Sequence, residues 1–182
     1  TSCPFLNSCT NTHITATSIA VGVNAIAPVA IRFNPGVDAG GHEFTKTGRK
    51  SDKFGVSINE TMRLTDKCIK SNNLNIVGLT CHIGSQISEL EKFKEAAAQS
   101  LRLLLDVEKL GAELNFIDMG GGLGVTYVDE KTVRPHELIK CYEEIFQGRP
   151  ERLIVEPGRS ISANAGILLT KVEYKKNNFL IT

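Results

Sequence analysis

Three short polar clusters in this 182-residue chain carry residue types suited to binding and activating a small molecule. His82 and Ser85 stand in His82-Ile83-Gly84-Ser85-Gln86, Gly120, Gly121 and Gly122 are consecutive, and Glu156 precedes Arg159 in Glu156-Pro157-Gly158-Arg159. Consecutive glycine amides can approach an anion closely and bind a phosphate group, although the same triplet also serves as a tight strand exit. The spacing does not match G-x-G-x-x-G, because Val125 stands where the last glycine belongs, and no G-x-x-x-x-G-K-[ST] occurs. Dinucleotide and nucleoside-triphosphate readings weaken accordingly. Glu156 follows an apolar strand-like run, where an unpaired carboxylate is costly, so it needs a cationic or donor partner. Either Arg159 closes a turn with it as an ion pair, or Glu156 faces a protonated ring nitrogen while Arg159 offers its fork to a carboxylate or phosphate. His82 is either a hydrogen-bonded rim histidine or, with Ser85, a flat imidazole stacked on a planar ring whose phosphate the hydroxyl binds.

These clusters need elements to hold them. Pro28-Val29-Ala30-Ile31-Arg32-Phe33 reads as a strand closed by the turn Asn34-Pro35-Gly36. Ser57-Ile58-Asn59-Glu60 is a capping box that predicts a helix to about Ser71. Leu74 to Cys81 gives a second strand. Ser88-Glu89-Leu90-Glu91 repeats the capping spacing, and Leu90, Phe93, Ala97, Leu101, Leu104 and Leu105 recur at helical intervals up to the terminating Gly111. Leu114 to Met119 is a third strand. Pro135 opens a helix carrying Leu138, Ile139, Tyr142, Ile145 and Phe146, and Arg152 to Val155 is a fourth strand. Strands starting near positions 28, 75, 115 and 152 alternate with helices, which predicts an α/β chain with a parallel sheet. All the polar clusters then lie at the carboxyl ends of the strands, where such sheets place ligands. A full (β/α)8 barrel needs ~250 residues, so the chain fits about half of one. An open doubly wound sheet is the structural rival.

The composition narrows the function classes. Lys and Arg total 21 against 20 Asp and Glu, a net charge of +1, which leaves no basic footprint for nucleic acid or an anionic membrane surface. The run Ala25 to Phe33 is interrupted by Pro28 and Arg32 and falls short of the ~20 residues of a membrane-spanning helix. Five scattered cysteines (Cys3, Cys9, Cys68, Cys81, Cys141), with no C-x-x-C and no zinc-finger spacing, suit unremarkable thiols in a reducing, cytoplasmic setting. The chain opens on Thr1 without a visible secretory signal and reads as a piece of a longer protein.

The ordered set Ile31-Arg32-Phe33-Asn34-Pro35-Gly36-Val37-Asp38, Lys53-Phe54-Gly55, His82-Ile83-Gly84-Ser85-Gln86, Ile117-Asp118-Met119-Gly120-Gly121-Gly122-Leu123-Gly124, Glu156-Pro157-Gly158-Arg159-Ser160 and Ala163-Asn164-Ala165-Gly166 resembles the alanine-racemase-like (fold type III) pyridoxal-phosphate decarboxylases. The Gly-Ser-Gln form and Thr47-Gly48 resemble the diaminopimelate decarboxylase branch more than the ornithine or arginine branches. The resemblance implies a partial (β/α)8 TIM-type barrel, roughly its second half. It divides the chain into an unassigned segment at 1–27, a barrel part at 28–166, and at 167–182 the start of a crossover into a C-terminal β domain. It implies pyridoxal 5'-phosphate as cofactor, a small-molecule amino-acid substrate and a homodimer at full length. In this reading His82 stacks on the cofactor ring, Ser85 with Gly120, Gly121 and Gly122 binds its phosphate, and Glu156 pairs with the pyridine nitrogen. Gly158 joins the cofactor site, and Arg159 serves phosphate or substrate carboxylate. The family's cofactor lysine, on the first barrel strand, and its partner-subunit cysteine segment are expected outside this chain. Lys46, Lys50, Lys53 and Lys67 read as loop or helix residues, and Lys171 resembles the crossover. Other substrates of the same family, or a non-catalytic phosphate-ligand module, are the alternatives.

Overall fold

The computed structural model describes residue 22, residues 25–38 and residues 54–182. Cys3, Cys9, most of the unassigned segment, Lys46, Thr47-Gly48, Lys50 and Lys53 lie outside those residues. Strands β1 (Ala27–Arg32), β2 (Leu74–Thr80), β3 (Phe116–Asp118) and β4 (Arg152–Ile154) form one parallel sheet in the order β1-β2-β3-β4. Order in the sheet equals order along the chain. A doubly wound sheet reverses direction at a switch point, and none occurs among these strands, so they form an arc of a (β/α) barrel rather than the open rival.

Helices α1 (Ile58–Ile69), α2 (Leu90–Lys109) and α3 (Pro135–Ile145) connect the strands, and the short α4 (Arg159–Ser162) follows β4. Their ends depart in part from the sequence expectation. Ser57 Oγ accepts the Glu60 amide at 3.2 Å, but the Glu60 carboxylate turns to Arg63, so the expected box is half formed. At α2 the box is absent. The helix begins at Leu90 with Glu89 as its uncapped N-cap, which leaves Ser88 one residue too early to reach the free amides. Gly111 ends α2 as expected, at φ +95° with its amide on Glu108 O at 2.8 Å. Pro135 occupies the first turn of α3, where its missing N–H costs nothing.

The face of α2 built from Phe93, Ala97, Leu104 and Val107 is buried against the sheet. Leu105, one residue beyond Leu104 and so about 100° round the helix, is 39% exposed instead. Ile139 on α3 likewise faces outward, whereas Leu138, Cys141 and Tyr142 are buried. Across the sheet, Ile31, Leu79, Ile117 and Leu153 are register partners in one apolar row that joins the helix-covered core. The next row, Arg32, Thr80, Asp118 and Ile154, points to the opposite face, because successive strand residues alternate. On that face the ring of Phe116 lies against Gly78, where a Cβ would stand 2.5 Å from it. At the opposite end of the strands, Arg149 forms ion pairs with Glu108 at the end of α2 and with Glu151 before β4. Past α4 the chain runs exposed through Lys171 into the antiparallel hairpin β5 (Tyr174–Lys176) and β6 (Phe179–Ile181).

Candidate active site

Beyond the last sheet pair the loops continue to bond to one another, and this draws the sequence clusters together. The Glu156 amide donates to Gly120 O at 2.8 Å, the Gly121 amide donates to His82 Nδ1 at 3.2 Å, and the Ile87 amide donates to Gly122 O at 2.9 Å. His82, the glycine triplet and Glu156 therefore share one rim at the carboxyl ends of β2, β3 and β4. Gly120 and Gly122 have φ of +67° and +100°, which residues with a Cβ rarely adopt. A Cβ on Gly121 would collide with the carbonyl oxygen of Glu156, and one on Gly122 with that of Gly84. The triplet is thus a tight strand exit, and its glycines are demanded by neighbouring backbone on both sides.

Two of its three amides are already committed. The Gly120 amide donates to Asp118 Oδ1 at 2.8 Å and the Gly121 amide to His82. The Gly122 amide and the hydroxyl of Ser85 have no protein partner among the described residues, and they remain as donors for an anion.

Asp118, only 3% exposed, lies beneath the triplet. Burial pushes its carboxyl up, against the opposing pull of the Gly120 amide and the Thr80 hydroxyl. Arg32, on the same sheet row, has its guanidinium 5.4 Å from the centroid of the Phe54 ring. His82 is half-buried, and burial lowers its pKa, helped by the positive charge of Arg32. With Nδ1 accepting from Gly121, the neutral ring carries its proton on Nε2.

Glu156 corrects the sequence reading. It is exposed, not buried, and forms no ion pair with Arg159. β4 is an edge strand of the described sheet, so its exit is open on one side in this part of the protein. Arg159 instead donates from Nη1 to the hydroxyl of Tyr127 at 3.0 Å. Gly158 is the N-cap residue of α4, with no atom within 4 Å of where a Cβ would stand.

Sequence reasoning missed Arg32, Asp118 and Tyr127 as rim residues, and it missed the contact that Gln86 makes. A signal existed for the first two: each is a charged residue at the end of an otherwise apolar strand. Gln86 has φ +59° and clamps Val125 from both sides, accepting its amide at 3.1 Å and donating to its carbonyl at 2.5 Å. No periodicity announces such a contact.

The donor set fits pyridoxal 5'-phosphate. The rim offers a flat neutral imidazole, an exposed carboxylate for a ring nitrogen, unsatisfied donors at Gly122 and Ser85 for a phosphate, and a guanidinium for a further anionic group. Of the two described candidate lysines, Lys67 lies on α1 and Lys171 in the exposed segment before β5, so neither is at a strand end. No helix among the described residues is long and apolar enough to cross a membrane.

Residues 13–163 match the family model described as pyridoxal-dependent decarboxylase, pyridoxal binding domain. The chain is 44% identical over 161 residues to the diaminopimelate decarboxylase of Haemophilus influenzae, covering 88% of this chain and 39% of that protein. It is 40% identical over 152 residues to the Aquifex aeolicus enzyme of the same name, covering 83% and 36%. The crystal structure of diaminopimelate decarboxylase from Helicobacter pylori complexed with L-lysine superposes with a TM-score of 0.82 at 38% identity, covering 89% of this chain and 41% of that one. The chain spans about two fifths of the length of the curated relatives it matches. With a rim of this composition at the carboxyl ends of an ordered parallel arc, and a match to the pyridoxal-binding domain over most of its length, the chain belongs to the pyridoxal-dependent decarboxylases.

Proposed function

We propose that this chain is the cofactor-binding part of a decarboxylase that uses pyridoxal 5'-phosphate to convert meso-2,6-diaminopimelate to L-lysine and CO2. The observation that carries the reading is the three-loop junction in which Gly121 bonds to His82 and Gly120 bonds to Glu156. Relatives named diaminopimelate decarboxylase at 44% and 42% identity support the substrate.

When bound, the cofactor supplies an electron sink for the charge left at Cα as CO2 departs. The residues of this chain prepare that step. Glu156 holds a proton on the ring nitrogen, which keeps the ring electron-poor. His82, neutral and fixed through Nδ1, presents its flat face to the ring without adding a positive charge beside it. Ser85 and the Gly122 amide bind the phosphate, with Gly120, Gly121 and Gly158 letting the backbone come close. Arg159 receives a carboxylate of the substrate. Residues 28–166 form the barrel part and 167–182 lead into a further β domain. The complete protein is a cytoplasmic homodimer.

The test uses the full-length protein loaded with pyridoxal 5'-phosphate. CO2 release is measured from meso-2,6-diaminopimelate, ornithine and arginine. Preferential release from diaminopimelate is expected, and release from ornithine or arginine instead would reassign the substrate. Cofactor binding without release from any of the three would mark a non-catalytic module.

A further inference from the structure

The loop after β3 ends in an arrangement that the cofactor site does not explain. The Glu130 carboxylate accepts the amides of Tyr127 and Val128, both at 2.9 Å through Oε2, and Thr126 Oγ1 donates to Glu130 O at 2.8 Å. These backbone bonds pull the Glu130 pKa below the ordinary carboxylate value, so the anchor is charged at neutral pH. One residue before Thr126, the Gln86 clamp fixes Val125. A loop tied at both ends thus carries Tyr127, 58% exposed, whose hydroxyl accepts from Arg159 Nη1 at 3.0 Å across a separation of 32 residues.

We infer that Tyr127 is a positioning and specificity residue: it sets the guanidinium of Arg159 and, with its own hydroxyl proton, completes a two-point clamp for the carboxylate of the substrate that does not react. The inference rests on the proposed decarboxylase reading. A phenol oxygen that accepts from Nη1 keeps its O–H as a donor, and the remaining guanidinium N–H groups stay available to the same anion. A dicarboxylic substrate offers two candidates. The carboxylate that leaves as CO2 loses its charge in the transition state, so a cationic clamp on it would favour the ground state and slow the reaction. Held on the other carboxylate, the clamp binds ground and transition states alike. It therefore acts on KM and on the choice between one and two carboxylates.

The experiment compares full-length wild type with Tyr127→Phe, which keeps the ring and removes the hydroxyl, and with Glu130→Gln, which weakens the loop anchor. KM and kcat for meso-2,6-diaminopimelate, the inhibition constant of L-lysine and the dissociation constant of pyridoxal 5'-phosphate are measured for each. For Tyr127→Phe, KM is expected to rise about tenfold, the loss of one charge-assisted hydrogen bond, with kcat held within about twofold. The L-lysine inhibition constant is expected to rise in parallel, since lysine has lost the carboxylate that leaves as CO2 and keeps the one the clamp holds, while the cofactor constant stays unchanged. Glu130→Gln is expected to change KM in the same direction. An unchanged KM in an active Tyr127→Phe enzyme overturns the inference. A weakened cofactor constant with KM intact overturns it too, and assigns the pair to the phosphate. A raised KM with the L-lysine constant intact would assign the pair to the carboxylate that leaves and also overturn it. A wild type that releases no CO2 defeats the decarboxylase reading itself, which is a separate outcome.

Discussion

The Gly121 amide and His82 Nδ1 lie 3.2 Å apart and bind the β3 exit loop to the β2 exit loop. Protonation at Nδ1 would break this bond. Burial, and then Arg32, already hold the His82 pKa below its ordinary value of 6.5. The unfolded chain therefore takes up this proton more readily than the folded one. The stability linked to His82 is complete above pH 6.5 and declines as the pH falls through the lower folded value. In the full-length protein, the thermal midpoint should fall less steeply between pH 7 and 5 in His82→Gln than in wild type. Scanning calorimetry across that range checks it, and superimposable profiles would count against the assignment.

Gly121→Ala places a methyl group on the Glu156 carbonyl oxygen, and backbone on backbone has little room to give. The expected cost is about 1–3 kcal/mol of stability, with a lowered affinity for the cofactor. Gly166→Ala, where no atom lies within 4 Å of the new carbon, is the matched control. Its effect should stay within about 0.5 kcal/mol in denaturant titrations.

Glu156→Ala removes the proposed partner of the ring nitrogen from the loop that follows β4. Turnover of the loaded full-length enzyme is expected to drop by about two orders of magnitude or more while the fold is kept. Near-normal kcat with cofactor bound would refute the role given to this residue.

Cys81 is fully buried on the strand exit, with its sulfur 3.7 Å from Ser100 Oγ, and burial pushes its thiol up to about 12. Thiolate is the reactive form, so Cys81 should resist iodoacetamide in the native protein and be modified on denaturation. Peptide mass spectrometry before and after denaturation measures this. Rapid native labelling would mean that the rim opens locally.

The alternation of Pro28 to Phe33, Leu74 to Cys81, Leu114 to Met119 and Arg152 to Val155 with amphipathic helices was enough to place the strand starts within two residues, since periodicity is a local property. Periodicity did not separate the arc from an open sheet, because strand order depends on which crossovers neighbour in space; the ordered motifs implied it through the family resemblance. At the site, the clusters stood out by composition, yet their partners did not. Arg159 pairs with Tyr127 and Gln86 with Val125 through bonds that span 32 and 39 residues, and neither pairing leaves a periodic trace. Of the two readings of Glu156 and Arg159, the structure does not show the ion pair, and three-residue spacing does not encode which neighbours a strand end meets.

The two register rows at the top of the sheet have a bearing on folding fidelity. Ile31, Leu79 and Ile117 stand in one row on the helix side, while Arg32, Thr80 and Asp118 stand in the next row on the other. Sliding β1 by a single residue against β2 would drive a guanidinium under the helices and expose an isoleucine in exchange, a penalty on misalignment that is steep because it is ionic. The irregularity between Val29 and Ala30 lies just upstream, so the looser half of the strand is corrected before the chain reaches the ligand-binding end.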